Sequence, residues 1–143
     1  MRTSPAALLP VLVASALLGG CSAPGGLDPA EARDRFTTVL DDTQNEVGGE
    51  WENVDDPTAR NCTIPLFVDG TRYPALRLAD APRDASEAAA AVTEYWQGLD
   101  YRVDSTAVGD VTELQGSGRG EVLVFRVSDD GMTLQGESEC RPD

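Results

Sequence analysis

Cysteine occurs at only three positions of this 143-residue chain, 21, 62 and 140, and the fate of each limits what the rest can fold into. Cys21 closes an N-terminal segment with the three parts of a secretory signal. Met1-Arg2-Thr3-Ser4 carries one positive charge, Ala6 to Leu18 is apolar with interruptions at Pro10 and Ser15, and Leu18-Gly19-Gly20 places small residues before the cysteine. Such a run is too short to anchor in a bilayer, which takes about 20 apolar residues. Read as a leader, residues 1–20 are lost, and 123 of the 143 residues remain to fold. That is the length of one ordinary domain.

Leu18-Gly19-Gly20-Cys21 has the form of a lipobox, and Ser22-Ala23-Pro24-Gly25-Gly26 reads as a tether. The segment resembles the signal of bacterial lipoproteins. That resemblance implies that Cys21 becomes the first residue and carries lipid on its thiol, with palmitate among the acyl groups of the anchor. The bland alternative is an ordinary signal peptide with a chance cysteine behind it. On the lipoprotein reading the chain divides into a signal peptide at 1–20, a lipidated tether at 21–27 and a single domain at 28–143. Acyl chains then hold it to the outer face of the cell membrane without a transmembrane helix. The tether reaches roughly 20 Å at full extension, so the domain sits close to the bilayer.

Cys62 and Cys140 are left as an even pair in an oxidising compartment, which predicts a disulfide between them. The loop it closes holds 77 intervening residues. Loop entropy makes such a bond worth about 4 kcal/mol. The rival reading is two free thiols or a metal pair. No histidine exists in the chain, so a zinc site would lean on carboxylates, which is unusual. No metal and no cofactor are expected. Asn61-Cys62-Thr63 matches a glycosylation acceptor, discounted for a bacterial chain with its cysteine paired.

Charge excludes some partners. Without Arg2 there are ten arginines against 25 acids, a net charge of −15. Nucleic acid and anionic headgroups both need a basic surface, so neither is expected as a partner. The acids are scattered rather than gathered in one tail, as on a solvated acidic surface; a cationic partner or divalent-ion buffering is the sharper alternative. There is no lysine, which together with the many alanines, glycines and aspartates points to a high-GC, actinobacterial genome.

Periodicity predicts an α+β fold. Asp28-Pro29-Ala30-Glu31 opens a helix over 29–47, with Ala32, Phe36, Val39, Leu40 and Val47 on one face and Gly48-Gly49 as its stop. An extended piece follows at 50–54, placing Trp51 and Val54 against the core. Cys62 to Val68 reads as an edge or irregular strand because of Pro65. Asp69-Gly70 reads as a turn, and Arg72 to Leu78 pairs back. Asp84 and Glu87 form a variant capping box for a second helix over 85–97, stopped by Gly98. Its stripe is Ala88, Ala91, Val92, Tyr95, Trp96 and Leu99. Strands follow at 101–105, more weakly at 110–114, then at 121–127 and 132–139, with Gly116 to Gly120 as a flexible turn and Asp129-Asp130-Gly131 as another. On the last strand Met132, Leu134, Gly136, Ser138 and Cys140 share the inward face. The expected architecture has two layers, an antiparallel sheet with two helices on one face and one disulfide.

Catalytic patterns are scarce. Without histidine, Ser-His-Asp and Cys-His sites cannot be built. Gly116-Ser117-Gly118-Arg119-Gly120 leads into a strand and lacks the lysine of a phosphate loop. Paired carboxylates at Asp55-Asp56 or Asp129-Asp130 are conceivable glycosidase acids or calcium ligands. Both lie in predicted turns, where Asp is favoured for backbone reasons, and neither fits the EF-hand spacing. No catalytic residue is assigned, the ligand-binding residues stay unknown, and Trp51 and Trp96 read as core before they read as a groove.

The stretch Gly48-Gly49-Glu50-Trp51-Glu52-Asn53-Val54-Asp55-Asp56-Pro57, running on to Cys62, is similar to actinobacterial cell-envelope lipoproteins of uncharacterised function, of the mycobacterial LppA kind. In these a tryptophan-bearing strand precedes the first disulfide cysteine. The resemblance extends through Trp96-Gln97-Gly98-Leu99-Asp100-Tyr101-Arg102-Val103 to Cys140. It implies an envelope lipoprotein and supplies a fold but no site. The leading expectation is therefore a membrane-anchored, non-catalytic lipoprotein that binds another envelope component, such as a protein partner. A small-ligand carrier or sensor using a groove between sheet and helices is the alternative, and a carboxylate-dependent hydrolase comes third.

Overall fold

Residues 26–142 are described by a computed structural model, so the expected signal peptide, Cys21 and most of the expected tether lie outside the described residues. Helix α1 spans Pro29–Val47 and begins in a full capping box: Asp28 accepts from the Glu31 amide, and the Glu31 carboxylate accepts from the Asp28 amide. Gly48, at φ 74°, ends it as expected. Helix α2 spans Ala85–Gly98, capped by Asp84, which accepts from the Ser86 and Glu87 amides. Gly98 is its last helical residue rather than its stop; the left-handed residue is Asp100, at φ 66°. Aspartate tolerates that backbone through its short polar side chain.

The strands are β1 (Trp51–Asn53), β2 (Arg60–Ile64), β3 (Val68–Arg72), β4 (Pro74–Ala79), β5 (Arg102–Val108), β6 (Val111–Gly118), β7 (Glu121–Ser128), β8 (Gly131–Glu137) and β9 (Arg141–Pro142). Six of them form one antiparallel sheet in the order β1-β4-β8-β7-β6-β5. The β5–β8 meander returns the chain to lie beside β4. The α+β class with its two helices and single disulfide is thus as expected. A second, three-stranded sheet, β2-β3-β9, was not read from the sequence. The disulfide Cys62–Cys140 joins its edge strand β2 to the segment after β8.

Several local readings change. Asp69-Gly70 lies inside β3, and the β2–β3 turn comes earlier, at 65–67, with Leu66 and Phe67 both at positive φ. Gly70 is glycine for space: a Cβ there would stand 2.5 Å from the Arg141 carbonyl oxygen. The expected strand from Arg72 to Leu78 is broken at Tyr73, where the chain crosses from the small sheet to the large one. The weak 110–114 strand continues to Gly118, leaving only Arg119-Gly120 as the turn. Val54 is 41% exposed rather than against the core.

The core lies between the large sheet and the helices. Phe36, Val39 and Leu40 from α1 meet Val92 and Trp96 from α2 over Leu114, Leu123, Phe125, Val127, Met132 and Leu134. Two sheet glycines seat the two large rings. A Cβ on Gly116 would stand 2.7 Å from Trp96, and one on Gly136 would stand 3.1 Å from Phe36. The sheet therefore presents its other face, odd-numbered on β8 and even-numbered on β7, away from the helices.

Candidate functional site

The outward face of the large sheet is the candidate site, because neither helix covers it. Register sorts its side chains into rows. Pro74, Glu137, Val122 and Ser117 make one; Leu76, Gln135, Val124 and Gln115 the next; Leu78, Thr133, Arg126 and Glu113 the third. Each row crosses β4, β8, β7 and β6 and opens on an apolar residue followed by a polar one. Val122 is 50% exposed and Leu78 37%, so apolar surface stands open to solvent here.

One end of this face is a groove of about 470 Å³. Leu76, Val122, Val124 and Gln135 lie at its floor, and Val54, Asp56 and Arg60 wall it. The wall is held by charge. Arg72 Nη1 lies 2.7 Å and Arg60 Nη1 3.6 Å from the two oxygens of Glu137, linking the small sheet to the large one. Asp56 accepts from the Thr58 amide at 2.9 Å, and that backbone hydrogen bond keeps its carboxyl more acidic than usual. At the other end, Arg126 Nε donates to Glu113 at 2.6 Å. Hydrogen bonds from Gln115 and then Arg126 likewise hold the Glu113 carboxyl low.

The sequence-predicted acids do not converge on this groove. Asp55 points instead to Arg77, at 3.1 Å, and accepts from the Leu76 amide at 2.9 Å. Asp129-Asp130 lies in the β7–β8 turn, where the Asp130 amide donates to Ser128 Oγ. Among the described residues, no group of three or more acidic or cysteine side chains is arranged to hold a metal ion. Trp96 is fully buried, its Nε1 donating to Thr43 at 3.0 Å. Trp51 is half-buried against the core, its Nε1 donating to the Gly48 carbonyl at 3.0 Å. The expected sheet–helix groove is thus occupied by packed side chains, and the groove of about 470 Å³ lies on the opposite face of the sheet.

Two buried charged groups escaped the sequence reading. Arg77, 1% exposed, reaches Asp41 and Gln44 on α1 as well as Asp55. Glu121, 2% exposed, accepts from the Tyr101 hydroxyl and from Arg35 Nε. Arg35 also bonds Glu139, Glu139 bonds Arg141, and Arg141 donates to the Leu27 carbonyl. Burial, then the hydrogen bond and charge of Glu121, push the Tyr101 hydroxyl far up. The signal was parity: Arg77 alternates with Ala75 and Ala79, and Glu121 with Leu123 and Phe125. These networks are buried ties between elements rather than an open site.

Neither a protein-family profile nor a curated protein matches the sequence of this chain. Two solved structures share its fold. A DUF4853 family protein from Actinomyces odontolyticus superposes with a TM-score of 0.62 at 19% identity, over 84% of this chain and 72% of that one. LppA from Mycobacterium tuberculosis, named as a lipoprotein, does so with 0.61 at 20% identity, over 80% and 78%. The fold resembles that of LppA. The likeness seen in the Trp51 and Trp96 stretches therefore extends to the backbone. Among the described residues no helix is long and apolar enough to cross a membrane.

Proposed function

We propose that this chain is an extracytoplasmic lipoprotein, anchored through Cys21 at the outer face of the cell membrane, and that its domain works by binding another envelope component on the open face of the large sheet. The groove over Leu76, Val122, Val124 and Gln135 carries this reading: it pairs an apolar floor with a rim of Arg60 and Glu137, the latter held from behind by Arg72. A binding surface needs this combination of apolar contact area and a few oriented polar groups. The lipobox supplies the address, and the likeness of fold to a protein named as a lipoprotein is consistent with it.

A non-catalytic role fits the acid–base inventory. The chain has no histidine. Carboxylate-only hydrolysis needs one acid whose pKa is raised so that it can donate a proton. Asp56 and Glu113, which border this face, are shifted the other way by hydrogen bonds. A second reading, small-ligand capture, is favoured by the groove's volume of about 470 Å³, a usual size for a ligand pocket.

A photo-crosslinking residue at position 124, with one at 108 as control, separates the readings in living cells. Val108 is 62% exposed on edge strand β5, away from the groove. A discrete protein adduct from 124 and none from 108, lost with Cys21→Ala, is the expected outcome. Adducts of equal pattern at both positions would remove the open face as the binding surface. No protein adduct, with a small molecule retained on the purified chain, would favour the second reading.

A further inference from the structure

The β2–β3 hairpin ends in Ile64-Pro65-Leu66-Phe67-Val68, and its tip is nearly bare: Leu66 is 91% exposed and Phe67 94%. Both residues hold left-handed backbone, at φ 76° and 61°. Glycine or asparagine takes such positions with least strain, and bulky side chains seldom do. A leucine and a phenylalanine placed there lose backbone energy and expose their whole apolar surface. Neither helps folding, since no residue from 60 to 72 belongs to the buried core. From Thr63 to Val68 the hairpin also carries no charge.

The route of the tether says what covers this tip. The Leu27 carbonyl accepts from Arg141 Nε, and Arg141 pairs with Thr71 of β3. The chain thus enters the domain against the small sheet itself. That entry is braced: Arg141 bonds Glu139, Glu139 bonds Arg35, and Arg35 bonds buried Glu121. From Gly70, which faces Pro142, the chain runs back through Val68 of β3 and the turn to Leu66, four residues that span at most ~14 Å. From Gly26 back to Cys21, five residues reach at most ~17 Å. The lipid attachment point and the hairpin tip are therefore within reach of one membrane surface.

We infer that Leu66 and Phe67 form a second, non-covalent membrane contact that inserts into the bilayer interface beside the Cys21 acyl chains and fixes the orientation of the domain. This rests on the anchoring proposed above. Insertion is driven by apolar burial and needs no basic patch, which suits a chain whose charge without residues 1–20 is −15. Depth is limited by Asp69, exposed one residue past Val68, which stays on the water side. Three points follow from one geometry: the tip in lipid, the small sheet at the membrane, and the large sheet held above it.

The test uses the full acylated protein reconstituted in phosphatidylcholine vesicles, with and without brominated acyl chains. A tryptophan is introduced as Phe67→Trp or, as control, Val108→Trp, and the emission of the unsubstituted protein, from Trp51 and Trp96, is subtracted. At position 67 we expect emission shifted to the blue and quenched at least twofold by brominated lipid, with position 108 unquenched. Equal, weak quenching at both positions with the protein still vesicle-bound would overturn the inference while sparing the anchor. Failure of the acylated protein to float with vesicles would instead remove the anchoring reading, and this inference with it. A photo-crosslinker at 67 in native membranes gives a second readout: lipid adducts support the inference, and a discrete protein adduct overturns it.

Discussion

Arg77 is the residue on which the chain's charge and its core conflict most directly. It is 1% exposed on the inward face of β4, while its partners Asp41 and Asp55 are 53% and 30% exposed. The cation is buried and its counter-charges sit at the surface. Its Nε finds no partner among the described residues. Removing a counter-charge leaves a buried cation short of compensation, whereas replacing the cation by an apolar side chain removes the burden. We therefore expect Asp55→Ala to cost about 1.5–3 kcal/mol, the range for a hydrogen bond to a charged group, because it also strips the acceptor from the Leu76 amide. Arg77→Met should cost less than about 1 kcal/mol. Urea midpoints at constant slope measure both, and the reverse ranking would refute this account of the buried charge. Glycines supply a second contrast. Gly116→Ala drives a Cβ to 2.7 Å from the Trp96 ring and should cost about 1–3 kcal/mol, with altered near-UV dichroism. Gly98→Ala meets nothing within 4 Å and should gain up to about 1 kcal/mol from helix propensity.

Between elements, the helices are tied by Tyr95 of α2, whose hydroxyl donates to Asp42 of α1 at 3.2 Å. Burial, then the Asp42 charge and the hydrogen bond to it, push this hydroxyl from its ordinary 10.0 up to about 12. A raised folded value means that the neutral phenol is favoured by folding. The contribution is complete below pH 10.0 and is lost as pH rises through about 12. Thermal midpoints should fall across that window, and Tyr95→Phe should flatten the fall; an unchanged slope in the variant would assign the alkaline transition elsewhere. The helices themselves were legible in the sequence because cap residues and a 3.6-residue apolar period agree at each. The strands were less so, and glycine was the reason. Gly70 and Gly116 are glycines because a neighbour occupies the space of a Cβ, yet in sequence they look like glycines that turn the chain. The real turn at 65–67 carries Leu66 and Phe67, which have no turn signature at all. The open face could not be read either, since its rows exist only once four strands are in register. Val54, Leu76, Val122 and Val124 are scattered through 71 positions of sequence and meet only in the groove.

At the scale of the whole molecule, two bodies of unequal cohesion are joined by few ties. The large sheet with its helices holds the buried apolar core, and the small sheet contributes nothing to it. What keeps β2-β3-β9 in place is the Cys62–Cys140 disulfide, the ion pairs of Arg60 and Arg72 with Glu137, the Arg141–Glu139–Arg35 chain of ion pairs, and Arg33 stacked 4.8 Å over Tyr73 at the crossover. Exposed ion pairs are each worth under about 1 kcal/mol. The disulfide, closing a loop of sequence separation 78, is worth about 4 kcal/mol on the chain-entropy model and is the dominant tie. Its loss should therefore be felt in two ways. Global stability of the Cys62→Ser/Cys140→Ser variant should fall by roughly that amount, read from the urea midpoint. Below the global transition, amide exchange should quicken across β2 and β3 and at Arg141 while residues 111–137 keep their protection, because only the small sheet lacks a core of its own. Exchange that quickened uniformly would mean that the two sheets unfold as one unit. The distinction bears on the proposed function: Arg60 of the small sheet walls the groove and its hairpin bears the tip, so a disulfide that fixes it fixes the angle between the proposed membrane contact and the proposed binding face. In an oxidising compartment that angle is set once, at folding, by a bond that does not open again.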